Sequence, residues 1–222
     1  MKNKILETFT EAVSDIPDGA TIMCHSFVGP SGVPQNLILA LRDRGVKDLT
    51  LITPNLGAIP GSKSLGFKPY HSLHLLVNNG QIKKAILGYI IGFPEGVKEV
   101  EMVPQGILAE RIRAGGAGLG GFYSPVGVGT IVTEGKESRI IDDKKYVLET
   151  PLRADYAFIR ARKADNYGNL VYRLTSRSFN PIMATAADMC IAEVDEIVET
   201  GELDPEHIVT PGCLIDRIVR VQ

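Results

Sequence analysis

Short apolar runs alternate along the chain with segments of helical spacing. Ile22-Met23-Cys24 reads as a buried strand. Gly29, Pro30, Ser31 and Gly32 follow it and force a turn. Pro34 suits the first turn of a helix, where a missing N–H is no loss. Gln35 to Arg44 then carries Leu37, Ile38 and Leu41 on one face, and Gly45 ends the helix. Asp48 to Ile52 is a second strand, broken by Pro54. A strand, a helix and a strand in this order favour a parallel pair with a right-handed crossover.

The pattern continues on both sides of this unit. Ile5, Leu6, Phe9 and Val13 have helical spacing and predict a first helix over residues 4–15. Thr53 to Lys68 is a long loop rich in Pro, Gly, Asn and Ser. Tyr70 to Asn79 predicts a short helix closed by Gly80. Strands follow at Ala85 to Ile90 and Val97 to Val103, with a loop from Gly92 to Gly96 between them. Pro104-Gln105-Gly106 opens a helix over Ile107 to Ala114 that exposes Glu110 and Arg111. Ser138 to Ile141 and Lys145 to Glu149 form a hairpin around Asp142-Asp143. Buried strands are predicted at Tyr156 to Ile159 and Met189 to Val194, and a short one at Leu170 to Tyr172. Pro181 to Ala187 suits a helix capped by Asn180. Asp204 starts one helical turn, and Leu214 to Val221 closes the chain as an edge or final strand. Alternating strands and helices predict an α/β fold with a mostly parallel sheet, late β-hairpin additions and a single domain over 1–222.

Composition narrows the function. The 222 residues are 44% hydrophobic and 23% charged, with a net charge of −2. That balance leaves no basic footprint for nucleic acid or an anionic membrane. No apolar run approaches the roughly 20 residues of a membrane span. Lys2 and Lys4 are followed by Glu7 and Glu11 rather than an apolar signal core, so a cytoplasmic protein is expected. Cys24, Cys190 and Cys213 are odd in number and far apart, which suits small buried hydrophobes better than a disulfide or zinc framework.

The candidate chemistry is sparse. The strand, small-residue loop and helix around residues 22–44 offer backbone N–H groups and a helix dipole to an anionic or polar ligand; a tight connection that binds nothing is the equal alternative. Cys24, His25 and Ser26 are adjacent, and neighbours on a strand point to opposite faces, so no nucleophile–base dyad is expected there. His71 and His74 read as a surface pair without a third metal ligand, and no metal site is predicted. No P-loop lysine motif occurs. Gly115 to Gly121 matches Gly-x-Gly-x-x-Gly only loosely and follows a helix, whereas a dinucleotide fingerprint needs the strand first. Glu95, Glu110 and Glu134 are scattered, and none declares itself a base. The glycines from Gly115 to Gly129 suggest backbone packed closely against something, a partner protein included.

Several segments together carry a family resemblance. Asp18-Gly19-Ala20-Thr21-Ile22-Met23 with Phe27, Gly29, Gly32 and Pro34 resembles the N-terminal signature of family I coenzyme A transferases. Pro104-Gln105-Gly106, then Ala109 to Gly118, and Phe122 to Thr130 form a longer second match. Ala164-Asp165, Gly168-Asn169 and Phe179-Asn180-Pro181 extend it over essentially the whole chain. The chain resembles the α (A) subunit of a 3-oxoacid or acetoacetate CoA-transferase.

That resemblance implies a three-layer fold, shared with sugar-phosphate isomerases, and a reaction that moves CoA from an acyl-CoA to a free carboxylate. A glutamate attacks the thioester, a mixed anhydride forms, and a glutamyl-CoA thioester follows. The glutamate is implied to belong to a B (β) subunit, in a hetero-oligomer whose implied stoichiometry is a heterotetramer. Coenzyme A is then a substrate and not a resident cofactor. The resemblance assigns His25, Ser26, Phe27, Val28, Gly29, Pro30, Ser31 and Gly32 to CoA binding. It assigns Gln105 to the substrate carboxyl group, and Asn55, Gly115, Gly116, Ala117 and Gly118 to the pocket. His25-Ser26 replaces the family's paired glycines, Pro54 stands where an asparagine is usual, and the stretch from Gly92 to Val103 is short. These departures imply an acyl substrate that differs from acetoacetate. An isomerase-like enzyme and a non-catalytic ligand-sensing domain of the same fold are the alternatives.

Overall fold

The computed structural model describes residues 3–27, 30–57, 70–90 and 95–222. Val28, Gly29, most of the Thr53 to Lys68 loop and part of the Gly92 to Gly96 loop lie outside these residues. The first half runs β1 (Ile5–Leu6), α1 (Phe9–Ala12), β2 (Thr21–Cys24), α2 (Gln35–Arg44), β3 (Leu49–Thr53), α3 (His74–Asn78), β4 (Ile82–Leu87), β5 (Glu99–Met102) and α4 (Gln105–Gly116). The second half runs β6 (Phe122–Ser124), β7 (Ser138–Ile141), β8 (Lys144–Glu149), β9 (Ala154–Asp165), β10 (Leu170–Val171), α5 (Asn180–Thr185), β11 (Ala187–Val198) and β12 (Arg217–Arg220).

Eight strands form one parallel row in the order β1-β12-β11-β9-β2-β3-β4-β5, and β10 adds to β9 antiparallel. Strand alternation divides the interior into two cores. Ile22, Cys24, Leu49, Leu51, Ala85 and Leu87 pack with α1, α2 and α3 on one face. Met23, Ile52 and Ile86 pack with α4 and α5 on the other. This is the mostly parallel α/β arrangement anticipated from the alternation of elements, in the three layers that the resemblance implied. The small second sheet, β6-β8-β7, is antiparallel. Its hairpin turns at Asp142 and Asp143, both with positive φ (48° and 59°), as a two-residue turn between twisted strands requires.

Some expectations change. The helix over residues 4–15 shrinks to α1, because Ile5 and Leu6 pair with Ile218 and Val219 as an edge strand and Thr8 then caps the helix through Glu11 N at 3.1 Å. Pairing to β12 overrides the helical period, and it also makes β12 an interior strand. Arg111 is buried, not exposed: it donates to the Thr150 carbonyl and to Glu101, both at 2.7 Å, and so ties α4 to β5. Asn180 is not a cap. Its side chain accepts from Arg160 N at 3.0 Å and donates to the Ser176 carbonyl at 2.8 Å, so it joins β9 to the turn before α5. His74 is buried while His71 is exposed, so the two do not form a surface pair. Cys24 and Cys190 are buried as expected, but Cys213 is exposed.

Candidate functional site

The order of strands locates the site. From β2 the chain steps outward through β3, β4 and β5; it then returns to β9, on the other side of β2, and steps away through β11 and β12. The direction of winding therefore reverses between β2 and β9. At such a point the connections leave to opposite sides, and a crevice opens beyond the carboxyl ends of the strands. His25 and Ser26 come directly after β2, and Asn55 follows two residues after β3.

Ser26 and Asn55 form a buried network with Thr53, the last residue of β3. Ser26 Oγ meets Thr53 Oγ1 at 2.8 Å, contacts the Asn55 carbonyl, and reaches Asn55 Oδ1 at 3.2 Å. Thr53 Oγ1 donates to the same carbonyl at 2.7 Å, and Asn55 Oδ1 accepts from Gly57 N at 2.7 Å. These bonds lock the exits of β2 and β3 together. The Ser26 hydroxyl supplies a fixed crosslink that a glycine at this position would lack.

His25 is fully buried and stacks on Phe179, the ring centroids 6.5 Å apart and the planes 17° from parallel. Neither ring nitrogen has a hydrogen-bond partner among the described residues. Burial lowers its pKa to about 4; the Phe27 carbonyl pulls weakly the other way without completing a hydrogen bond. His25 is therefore a neutral imidazole near pH 7. Gly32 explains how the loop closes over it: a Cβ there would lie 3.0 Å from His25 Cδ2 and Nε2 and 3.2 Å from the Ser176 carbonyl.

The two helix amino ends at this rim differ. On α2, the N–H groups read from sequence as an open anion site are occupied within the chain. Glu193 Oε2 accepts from Asn36 N at 2.8 Å and Leu37 N at 3.1 Å, and Oε1 accepts from Asn36 Nδ2 at 3.0 Å. Burial raises the Glu193 pKa, and Arg160 and these donors oppose that rise. On α4, by contrast, Pro104 offers no side-chain cap. The first N–H groups of a helix have no partner within it, and those of Gln105, Gly106 and Ile107 find none elsewhere among the described residues. The amide of Gln105 also forms no hydrogen bond among the described residues. This end lies against the strand exits: a Cβ on Gly88 would sit 3.1 Å from the Pro54 carbonyl and 3.4 Å from Gln105 Cα. Both Gly88 N (3.1 Å) and Tyr89 N (2.9 Å) donate to that Pro54 carbonyl.

Gly115, Gly116, Ala117 and Gly118 are not brought to this cluster. They end α4, about 15 Å along the axis from Gln105. Close packing accounts for two of the glycines. A Cβ on Gly115 would lie 1.9 Å from the Leu152 carbonyl oxygen, and one on Gly116 would lie 2.1 Å from Thr185 Oγ1. Val28 and Gly29 lie outside the described residues. Sequence reasoning missed Thr53, Gly88, Phe179 and Glu193. An isolated glycine directly after an apolar run was a signal for Gly88; nothing local marks Glu193, whose partners are over 150 residues away. Among the described residues no group of His, Cys, Asp and Glu could hold a metal, and no helix is long and apolar enough to cross a membrane.

Comparison with known proteins agrees with the fold. Residues 6–221 match the family model described as coenzyme A transferase. The alpha subunit of the acetate CoA-transferase of Escherichia coli K12 is 47% identical over 99% of this chain and 97% of that protein. The A-type subunit of the 3-oxoadipate CoA-transferase of Pseudomonas putida is 46% identical over 100% and 95%. The A-type subunit of a probable succinyl-CoA:3-ketoacid coenzyme A transferase of Bacillus subtilis is 48% identical over 97% and 89%. Among solved structures, an acyl-CoA transferase from E. coli O157:H7 superposes with a TM-score of 0.80 at 23% identity; the match covers 99% of this chain but 47% of that one, about half its length. Glutaconate coenzyme A-transferase from Acidaminococcus fermentans gives 0.79 at 20% identity over 98% and 75%. The chain belongs to the coenzyme A transferase family, enzymes that move coenzyme A between acyl-CoA thioesters and carboxylic acids.

Proposed function

We propose that this chain is the A-type half of a two-subunit CoA-transferase and supplies the oxyanion-binding wall of the site. The observation that carries the reading is the uncapped amino end of α4, with Gln105 beside the exits of β3 and β4. In the reaction, a glutamate carboxylate of the B-type subunit makes the attack on the acyl thioester carbonyl. CoA thiolate leaves, and an acyl–glutamyl anhydride remains. The thiolate then attacks the glutamyl carbonyl, which releases the first acid and gives glutamyl-CoA. An acceptor carboxylate reverses the sequence. Each addition places negative charge on a carbonyl oxygen, where the Gln105 amide and backbone N–H groups of α4 stabilise it. Among the described residues, none of the hydrogen bonds of the Ser26–Thr53–Asn55 network comes from a carboxylate, which fits a nucleophile on the other subunit.

Relatives named for acetate, 3-oxoadipate and 3-ketoacid substrates share 46–48% identity with the chain. Overall likeness therefore does not select the acid, and the rim residues must. The buried Ser26–Thr53–Asn55 network, which stands where the resemblance implies glycines, takes up side-chain volume at the rim, and this favours a short-chain carboxylate or 3-oxoacid. In this reading His25, Ser26, Phe27 and the 28–32 loop border the CoA thioester, coenzyme A binds only as substrate, and a single-domain chain assembles with B-type partners as a cytoplasmic heterotetramer. The test is to assay the chain alone, its B-type partner alone and the mixture against acetyl-, acetoacetyl- and succinyl-CoA with paired acids. Transfer only in the mixture is the expected result. Transfer by this chain unaided, or an acyl adduct on one of its own side chains, would overturn the division of labour.

A further inference from the structure

Beyond the end of β2, β9 pairs with no strand on that side, among the described residues, until β10 joins it at Lys163. Cys24 pairs with Phe158 in the last register step, and Arg160 and Arg162 come after it. Their parity with Phe158 puts both on the face that packs against α2. A cleft of about 330 Å³ opens there, lined by Ser31, Gln35, Arg160, Arg162, Arg173 and Asp195, with Ser176 at its wall. It lies on the same rim as His25, with only Gly32 between them: the Cβ position of Gly32 meets the His25 ring on one side and the Ser176 carbonyl on the other.

The arginines in this cleft are unequal. Arg160 is consumed by the fold. It pairs with Asp195, approaches Glu193 at 3.6 Å, and donates to the Ala161 and Glu193 carbonyls at 3.0 and 3.2 Å. Arg162 and Arg173 make no ion pair and no side-chain hydrogen bond among the described residues. Elsewhere Arg111, Arg113, Arg153 and Arg217 each hold a carboxylate. The turn that follows Arg173 is also held out of its relaxed shape. Leu174 has φ 50° and is 84% exposed, and Ser178 has φ 27°. A bulky residue gains nothing from that backbone region. The turn is fixed from below by Asn180, which bonds Ser176 O, Gly32 O and Arg160 N. The fold thus forces a strained turn to hold Arg173 over a cleft that already contains Arg162.

We propose that Arg162 and Arg173 form a phosphoryl-binding subsite. Two planar guanidinium forks, ten N–H donors in all by their chemistry, suit a phosphate or pyrophosphate better than a carboxylate. Ser31 Oγ and the cleft wall supply further polar contacts. The proposal rests on the reading of the chain as a CoA-transferase subunit for the source of the ligand: coenzyme A carries a pyrophosphate and a 3′-phosphate at the end of a long uncharged arm, so its anionic end can lodge here while its thioester lies beyond His25.

Two measurements test it. The first is binding of 3′,5′-ADP and of inorganic pyrophosphate to the full chain, followed by arginine Nε–H chemical shifts. Saturable shifts at Arg162 and Arg173 that fall with added salt are expected, with the heat of ligand binding in titration calorimetry lost in R162A/R173A. Tighter binding of 3′,5′-ADP assigns the coenzyme, and equal binding of both assigns a general phosphoryl site. No saturable shift, or binding heat that persists in the double variant, overturns the subsite. The second is the ratio of kcat/KM for an acyl-CoA to that for the same acyl group on N-acetylcysteamine, measured with the reconstituted pair. R162A/R173A should lower that ratio roughly 10- to 100-fold through KM, and R162K/R173K should recover part of it. An unchanged ratio overturns the assignment to coenzyme A. Absence of acyl-CoA transfer by the unmodified pair would instead strike the proposed function, while the binding measurement still decides the subsite.

Discussion

Glu193 caps α2 from the far side of the switch point: its carboxylate accepts the backbone amide of Asn36 at 2.8 Å and the Asn36 side chain at 3.0 Å. The group is 1% exposed and belongs to β11, so one residue joins the two halves of the winding. It also explains why the conspicuous strand–loop–helix of the sequence is not itself an open anion site. The carboxylate already neutralises the helix end. Glu193→Gln keeps the shape but turns an N–H donor toward donors and leaves Arg160 short of a partner. A loss of about 2–4 kcal/mol is expected in urea unfolding, with the m-value unchanged. A loss under about 0.5 kcal/mol would show that the cap contributes little.

How far the site was legible follows from this pair. The boundaries of α2, its Gly45 terminus and the Asp142-Asp143 hairpin were readable because each is set by neighbours a few residues away. Gly45 is in the left-handed region at φ 76°, as the stop signal implied. The positions of His25, Asn55 and Gln105 at strand exits and a helix start were also readable from local pattern. What was not readable depends on strand order. The reversal between β2 and β9, the burial of Arg111 against Thr150 and the seat of Glu193 arise from contacts between segments 39 to 157 residues apart. The first helix failed for the same reason: its pattern was helical, but an edge of the sheet claimed Ile5 and Leu6.

The glycines that end α4 separate two explanations of the glycine-rich segment. If Gly115 and Gly116 serve packing, added methyl groups strike fixed backbone and a buried turn. Gly116→Ala would push against Thr185 Oγ1 at 2.1 Å, Cβ at 2.7 Å and O at 2.9 Å. A destabilisation of about 3 kcal/mol or a failure to accumulate as folded protein is expected. Gly118 has φ 70° and nothing within 4 Å of its Cβ position, so Gly118→Ala should lose only about 1 kcal/mol from backbone strain. Thermal unfolding of both variants checks the order. Equal, small losses would move these glycines from packing back to ligand contact.

His25 gives the fold a pH dependence whose sign can be stated. Its folded pKa is about 4, below the ordinary 6.5, because the buried ring resists charge. Above pH 6.5 both folded and unfolded chains hold it neutral, and its contribution is fully present. As pH falls toward 4 the unfolded chain takes up the proton first, so stability declines through that window, by about 3 kcal/mol in all. Denaturation at pH 7.5, 5.5 and 4.5 should show the decline, and the difference between the parent protein and His25→Gln should vary with pH over this range alone. Carboxylates such as Asp15 and Glu101, held low by Arg217 and by Arg111, titrate in both proteins and cancel in that difference. A pH-independent difference would mean that the imidazole is solvated in the folded chain.

Gln105 allows stability and catalysis to be driven in opposite directions. The residue opens α4, is partly buried, and forms no side-chain hydrogen bond among the described residues. Gln105→Ala should therefore leave the melting temperature within about 2 °C, since alanine is the better helix former. In the reconstituted pair it should lower kcat by about 10²- to 10³-fold, the usual effect of deleting one oxyanion donor. Gln105→Glu sharpens the contrast. A carboxylate at an uncapped helix amino end should stabilise the fold by about 0.3–1 kcal/mol. The same charge beside a developing oxyanion should depress transfer further than alanine does. A more stable and less active Glu variant, with KM little changed in both, is the outcome that places Gln105 at the reacting oxygen. If KM rises while kcat holds, the amide instead binds substrate and transition state equally.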